Sequence, residues 1–299
     1  MQRSVTIYEG ESPIETIAVI ALFRNNASYI PYFCSTFESI EKSYNMKFKY
    51  YFFENDSTDN TVELLENFMK NREGLFIHEN LDLEFSAECD ISYRRINRIA
   101  SIRNLFLSKI RADILKSCWC LFVDSDIYFN VETIQDMFVS IPPDTCISMI
   151  TCNTLDTYDK LNIDESTIPD DAKFVTTNHY YDTFAYVSLD NVMTYPICAN
   201  KDCCHAVCIT CENRYIQSGD IEYVRSAWGG FVLVKSSAFN FFPVHWKPLC
   251  LNDGNSLCEH IYFCDTIRFI FGEKSIVKMN NINIYRKEAK HCEAPQNQK

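Results

Sequence analysis

Cys118-Trp119-Cys120-Leu121-Phe122-Val123-Asp124-Ser125-Asp126 is the stretch on which the reading of this chain turns. Cys118 to Val123 is an apolar run of strand length. It passes straight into two carboxylates one residue apart, after which Ile127-Tyr128-Phe129 resumes the apolar pattern. A run that is apolar on both faces predicts a strand buried in a parallel sheet. An isolated Asp-x-Asp is a common acidic turn. At the end of a buried strand the same triplet acquires chemistry, because hard divalent cations take carboxylate oxygens and share them with substrate phosphates. Asp124 and Asp126 are therefore the candidate metal ligands.

The pattern upstream agrees. Ile17 to Phe23 is a second apolar run, ending in Arg24-Asn25-Asn26, and Ser28 to Tyr44 then reads as a helix. Lys47 to Phe53 is a strand rich in Tyr and Phe that stops at Glu54-Asn55-Asp56. Ser57 or Thr58 offers a helix N-cap, Thr61 to Asn71 is apolar at helical spacing, and Gly74 fits that helix's end. Leu75-Phe76-Ile77 is a short strand, and Tyr93 to Leu115 is helical again. Strands alternating with helices predict an α/β fold with a mostly parallel central sheet. In such sheets ligands bind beyond the carboxyl ends of the strands. Arg24, Asn25, Glu54, Asp56, Asp124 and Asp126 are thereby expected around one crevice. From about Pro142 the chain is less regular, mixing short aromatic strands with polar loops.

Arg94, Arg95, Arg98 and Arg103 fall within ten residues on the helix before the Asp-Ser-Asp strand. Guanidinium groups bind phosphates through paired hydrogen bonds; the plainer reading is a solvated basic face. Elsewhere the chain is acidic, with a net charge of -12 over 299 residues. That field disfavours nucleic acid as a partner. An apolar fraction of 47% suits a globular core. No stretch has the roughly 18 apolar residues of a transmembrane helix, and Met1 to Pro13 lacks the apolar centre of a signal peptide.

Taken together, Phe53 to Thr61, the arginine helix ending in Arg103-Asn104, and Phe122 to Asp126 resemble a GT-A glycosyltransferase, and are most similar to the capsule-associated (alpha-1,3-) mannosyltransferase family. Tyr181-Asp182-Thr183-Phe184, Ser226 to Phe231 with Trp228-Gly229-Gly230 at its centre, and Cys258-Glu259-His260 extend the likeness. The resemblance implies a Rossmann-like nucleotide-sugar-binding half, residues 14–130, continuous with an acceptor-binding half, residues 131–299, in a single domain. It implies Mn²⁺ or Mg²⁺ and the donor diphosphate at Asp124 and Asp126, the nucleoside at Glu54 and Asp56, and phosphates steadied by Arg98 and Arg103. Trp228, Gly229 and Gly230 would wall the donor sugar, Trp228 serving either as a stacking platform or as core. Glu259 could act as general base on the acceptor hydroxyl, and His260 could instead be a third metal ligand, as could His245 or His291. The implied reaction moves a hexose from a UDP- or GDP-sugar to a hydroxyl of a glycan or glycosylated protein.

The main departure from that pattern is a cysteine-rich insertion, residues 196–212. Cys198, Cys203, Cys208 and Cys211 could close a structural Zn²⁺ site; a disulfide pair and plain reduced thiols are the rival readings. With 15 cysteines, an odd count, and no leader, reduced thiols suit most of the chain. Asn26-Ala27-Ser28 and Asn55-Asp56-Ser57 are formal glycosylation sequons on the crevice loops, which also favours the cytoplasmic side. Three other functions stay open. A nucleotidyltransferase would show a Gly-rich phosphate loop, whereas no glycine lies between Glu11 and Glu73. A glycoside hydrolase with a carboxylate pair would not need a metal. A catalytically inactive sugar-binding or zinc-stabilised interaction module would bind without turnover. A homo-oligomer is compatible with all of them.

Overall fold

Residues Ile17 to Phe23 have apolar side chains on both faces, so they need cover on both sides of the sheet. In the computed structural model, which describes residues 16–44, 46–82, 92–141, 146–157, 176–180, 182, 184–191, 219–241, 244–252 and 256–287, they receive it. Strand β1 (Thr16–Phe23) pairs in parallel with β2 (Lys47–Asn55) on one side and β4 (Trp119–Asp124) on the other. β3 (Gly74–Glu79) adds in parallel to β2. Helices α1 (Ile30–Ser43), α2 (Thr61–Met69) and α4 (Thr133–Val139) cover one face, where Phe33, Phe37, Phe52, Leu65 and Met137 are fully buried. Helices α3 (Tyr93–Ile114) and α5 (Glu259–Phe271) cover the other, burying Phe106, Ile110, Phe263 and Ile267. Helices on both faces of a parallel sheet are the expected layering.

The later residues continue the same sheet. β10 (Phe231–Lys235) lies antiparallel between β4 and β6 (Met149–Thr157). β6 pairs in parallel with the long β13 (Ile276–Lys287), which is followed by β9 (Ile221–Ser226) and β8 (Val187–Ser188). Short β5 (Ile127–Tyr128) pairs with the far end of β13, and β7 (Thr176–Tyr180) with β6. β11 (Leu249–Cys250) and β12 (Ser256–Leu257) form a separate hairpin.

Two local expectations are corrected. Gly74 does not end a helix; α2 stops at Met69, and Gly74 opens β3. Its φ is +136°, and a Cβ there would lie 1.8 Å from the Tyr50 carbonyl oxygen, so glycine is what lets the two backbones meet. Ser57 and Thr58 do not cap α2. The N-cap is Asn60, and Asp59 accepts the Thr61 N–H through its side chain (3.0 Å). All eight cysteines among the described residues are free thiols, and Cys120, Cys152, Cys258 and Cys264 are buried. Cys198, Cys203, Cys208 and Cys211 lie outside the described residues.

Candidate active site at the carboxyl end of the parallel strands

Register puts the three polar strand ends side by side. Leu22 is opposite Asp124, and Phe23 is opposite Glu54. The loops beyond are joined by side chains. The Asn25 N–H donates to Ser57 Oγ, Thr58 N–H donates to Asn25 Oδ1, and Asn26 N–H donates to Thr61 Oγ1, each at 2.8 Å. Asn26 Nδ2 reaches the Ser125 carbonyl at 3.4 Å, linking the first loop to the Asp-Ser-Asp turn. Asn25 and Asp56 adopt positive φ (51° and 56°), a conformation that Asn and Asp tolerate best among residues with side chains.

Asp124 and Asp126 stand at this edge with side chains 42% and 39% exposed. Each faces an arginine. Arg103, from α3, donates from Nη2 to Asp124 Oδ1 (3.4 Å) and from Nη1 to Glu259 Oε1. Arg286, from β13, donates from Nε to Asp126 Oδ2 (2.8 Å). Enclosure by protein, with Asp126 and Glu259 nearby, raises the Asp124 carboxyl above its ordinary range, against the opposing pull of Arg103. Burial disfavours a charged Arg103, yet Glu259 and Asp124 more than compensate, and its pKa rises. Two half-exposed carboxylates on one turn, each with its own counter-charge, form an oxygen donor set that suits a hard divalent cation.

The wall beside Asp124 is Trp228-Gly229-Gly230. Gly229 and Gly230 both have left-handed φ (69° and 76°). The Asp124 N–H donates to the Gly230 carbonyl (2.7 Å), and a Cβ on Gly230 would come within 3.1 Å of Asp124 Oδ2. The loop is clamped from behind: Thr151 and Thr154 hydroxyls donate to the Trp228 and Gly229 carbonyls, and Gly229 N–H donates to Asp182 Oδ2 (2.9 Å). Burial raises the Asp182 carboxyl to about 6, although its bonds from Gly229 and Ala185 oppose the shift. Asp182 entered the sequence reading only inside a four-residue motif, and Arg286 did not enter it. Neither stands in a local pattern that would have marked it out.

Several expected residues are placed differently from their expected roles. Glu54 is wholly buried, and its two oxygens accept from the Ser57 N–H (2.8 Å) and meet the His78 ring. Asp56 accepts the Leu81 and Asp82 N–H groups (2.8 and 3.0 Å). Both carboxylates build the loop that frames the crevice, and His78 is the member of that group that faces outward. Trp228 is not an open platform for a sugar. It is 2% exposed and stacks on His260 at 3.9 Å between ring centres. His260 is itself buried, its Nδ1 accepts from Trp246 Nε1 (3.1 Å), and burial drives its pKa well below the ordinary value, so the ring is neutral. It does not join Asp124 and Asp126: among the described residues its donor atoms gather only with Cys258 and Glu259. Arg103 is brought to the site. Arg98 lies on the same helix, half-buried, with Arg24 half-buried at the end of β1. Behind Asp124, Leu22, Phe106, Phe122 and Trp228 line a cavity of about 20 Å³. That is space for about one water.

With this geometry in view, solved structures show the fold. TarS of S. aureus, residues 1-349 in complex with UDP, superposes with a TM-score of 0.50 at 14% identity, over 92% of this chain and 61% of that one. This is the GT-A fold. The same protein in complex with UDP-GlcNAc gives 0.49 at 14%, over 92% of this chain and 59% of that chain. Glucosyl-3-phosphoglycerate synthase from Mycobacterium tuberculosis, in complex with Mn²⁺ and uridine-diphosphate-glucose, gives 0.45 at 9%, over 93% and 72%. The chain thus spans about three fifths of the TarS fragment it matches. No family model and no curated protein matches it, so the likeness to capsule-associated mannosyltransferases rests on the quoted motifs alone. No helix among the described residues is long and apolar enough to cross a membrane.

Proposed function

We propose that this chain is a metal-dependent glycosyltransferase that moves a hexose from a nucleotide diphosphate sugar to a hydroxyl on a glycan or glycosylated protein. The observation that carries the reading is the arrangement at the end of β4. Two half-exposed carboxylates, a clamped Gly-Gly wall and a half-buried arginine meet at the carboxyl edge of four parallel strands, which is the ligand-binding edge of such sheets. The likeness to a TarS structure containing UDP favours a uridine diphosphate donor for the first trials.

In this reading Asp124 and Asp126 hold Mn²⁺ or Mg²⁺. The bound cation would neutralise charge on the departing diphosphate. The chain's own residues do the rest. Gly229 and Gly230 let backbone approach the donor closely. Arg103, fixed by Glu259, holds positive charge at the edge where the sugar–phosphate oxygen bond breaks, which is electrostatic stabilisation in a pre-organised site. Glu259 sits in the first turn of α5, buried and paired. A product of inverted configuration would assign it the acceptor's proton as general base; a retained configuration would leave it the anchor of Arg103.

The test is a thermal-shift and hydrolysis screen of UDP- and GDP-sugars with and without Mn²⁺. One donor that raises Tm only with metal, and slowly releases its sugar, establishes the class, since a ligand of the folded state stabilises it. A folded protein that answers to no donor with metal present refutes the reading.

A further inference from the structure

His260 is buried, so protein groups have to match both of its ring nitrogens. Its Nδ1 lies 3.1 Å from Trp246 Nε1. An indole nitrogen only donates, so Nδ1 accepts. A neutral imidazole carries one proton, and burial, with Arg103 nearby, keeps this ring neutral. The proton therefore stands on Nε2, which faces Glu259 Oε1 at 3.6 Å. The other tautomer would set the indole N–H against a ring N–H, and a ring lone pair against a carboxylate. Both contacts are repulsive. A nitrogen that bears a proton has no lone pair for a metal, so Nε2 has none to offer a cation.

Packing fixes the rings in this arrangement. His260 stacks on Trp228 with 3.9 Å between ring centres and 17° between planes, and Trp246 stacks on Phe263 at 4.8 Å and 19°. The Trp246 backbone is held to α3 twice. Asn104 Nδ2 donates to its carbonyl (2.7 Å), and its N–H donates to Asn104 Oδ1 (2.9 Å). Asn104 adjoins Arg103 on that helix. The contacts thus close a circuit from Arg103 through Glu259, His260, Trp246 and Asn104, back to the residue beside its start.

We propose that Trp246 and His260 are positioning residues for Arg103: the indole N–H sets which nitrogen of His260 carries the proton, and that proton holds the Glu259 carboxylate where it grips the arginine beside Asp124. The use of Arg103 rests on the glycosyltransferase reading above; the tautomer does not. Glu259 holds the guanidinium through Nη1, which leaves Nη2 at Asp124 Oδ1 (3.4 Å). A Glu259 side chain without the His260 N–H is free to turn, and it would draw Arg103 away from the edge where the diphosphate lies.

Nitrogen NMR of the histidine rings in the metal-free protein reads the tautomer, with His260 assigned by the signals lost in His260→Gln. Nδ1 is expected unprotonated and hydrogen-bonded, and Nε2 protonated. In Trp246→Phe the Nδ1 signal moves toward that of a nitrogen accepting no hydrogen bond. Calorimetry of UDP or GDP at saturating Mn²⁺ reads the consequence. His260→Leu removes the N–H and weakens nucleotide binding by about tenfold or more, the scale of a lost hydrogen bond to a charged group. His260→Gln sets an amide N–H in place of the ring N–H and keeps affinity within about threefold of wild type. A mere packing defect would weaken both variants alike. A proton found on Nδ1 in the wild type, or an Nδ1 signal unmoved in Trp246→Phe, overturns the proposal whether or not the protein is an enzyme. With the tautomer as stated, a leucine variant that binds nucleotide like the wild type, or a glutamine variant as weak as the leucine one, refutes the positioning role and leaves the enzyme reading standing. A wild type that shows the Nε2 proton and binds no nucleotide with Mn²⁺ present refutes the enzyme reading, and the positioning role with it.

Discussion

Gly230→Ala perturbs the metal edge without touching any charge. The residue has φ +76°, where an alanine costs about 1–2 kcal/mol. Its new Cβ would sit 2.8 and 2.9 Å from Ile127 Cγ1 and Cδ1 and 3.1 Å from Asp124 Oδ2. Ile127 is fully packed and cannot yield freely, and overpacking of this kind costs about 1–3 kcal/mol. The sum is roughly 2–5 kcal/mol. Gly219→Ala supplies the control. Its φ is +72°, yet nothing lies within 4 Å of its added Cβ, so it carries the backbone cost alone. At about 2–4 °C per kcal/mol for a chain of this size, Gly230→Ala is expected to lose roughly 4–20 °C in Tm and Gly219→Ala about half of that or less. Asp124 must also shift, so Mn²⁺ affinity should fall in the first variant and hold in the second. Calorimetric melting with a Mn²⁺ titration on both proteins decides the matter. Equal melting losses, or an unchanged Mn²⁺ affinity in Gly230→Ala, would refute the claim that Gly230 is required by its contacts.

Asp126→Ala is expected to abolish transfer with the melting temperature within a few degrees of wild type, since it is half-exposed; normal turnover would remove the metal assignment. Asp182, raised to about 6, accepts Gly229 and Ala185 N–H groups best when ionised. Donor affinity should therefore rise with pH through about 6, and Asp182→Asn should flatten that limb. The stability effect has the opposite sign. The folded state holds this proton more tightly than an unfolded Asp near 3.9, so Asp182's contribution falls as pH rises from about 4 to about 6 and is level above it. Lys278 is buried among Asn153 and Asn280, and burial lowers its pKa to about 7. The unfolded chain then binds more protons between about 7 and 10.4, so this group makes stability rise with pH across that window. Urea unfolding at pH 7 and pH 9 should show a pH 7-to-9 change that is more favourable in wild type than in Lys278→Met.

The first half of the fold was legible because its strands are simple physical objects. Ile17 to Phe23 and Trp119 to Val123 are buried on both faces, and nothing but a central parallel strand accounts for them. The later half was not. β6 and β13 carry Asn153, Lys278, Asn280 and Asn283, which break the apolar alternation; Asn153 bonds Asn283 and Lys278 across the ladder, and Lys278 bonds Asn280 on its own strand. Asp124 and Asp126 were readable from their place at a strand end. Trp228 and His260 were harder, since an aromatic ring beside glycines looks like a sugar platform until its stacking partner is seen. Arg286 could not be found by local pattern, because it meets Asp126 across 160 residues of sequence.

The Asp-Ser-Asp strand takes one neighbour, β1, from residues already made and the other, β10, from residues some hundred positions later. At about 5–20 residues per second of synthesis, the ribosome exposes those carboxylates for several seconds before Gly230 arrives to bond Asp124. During that interval the nascent chain owns the acidic turn but not the wall beside it. A chain halted at residue 225 should carry Asp124 and Asp126 yet hold nucleotide no better than an unfolded peptide. Assembly order alone would then keep an unfinished molecule from engaging donor.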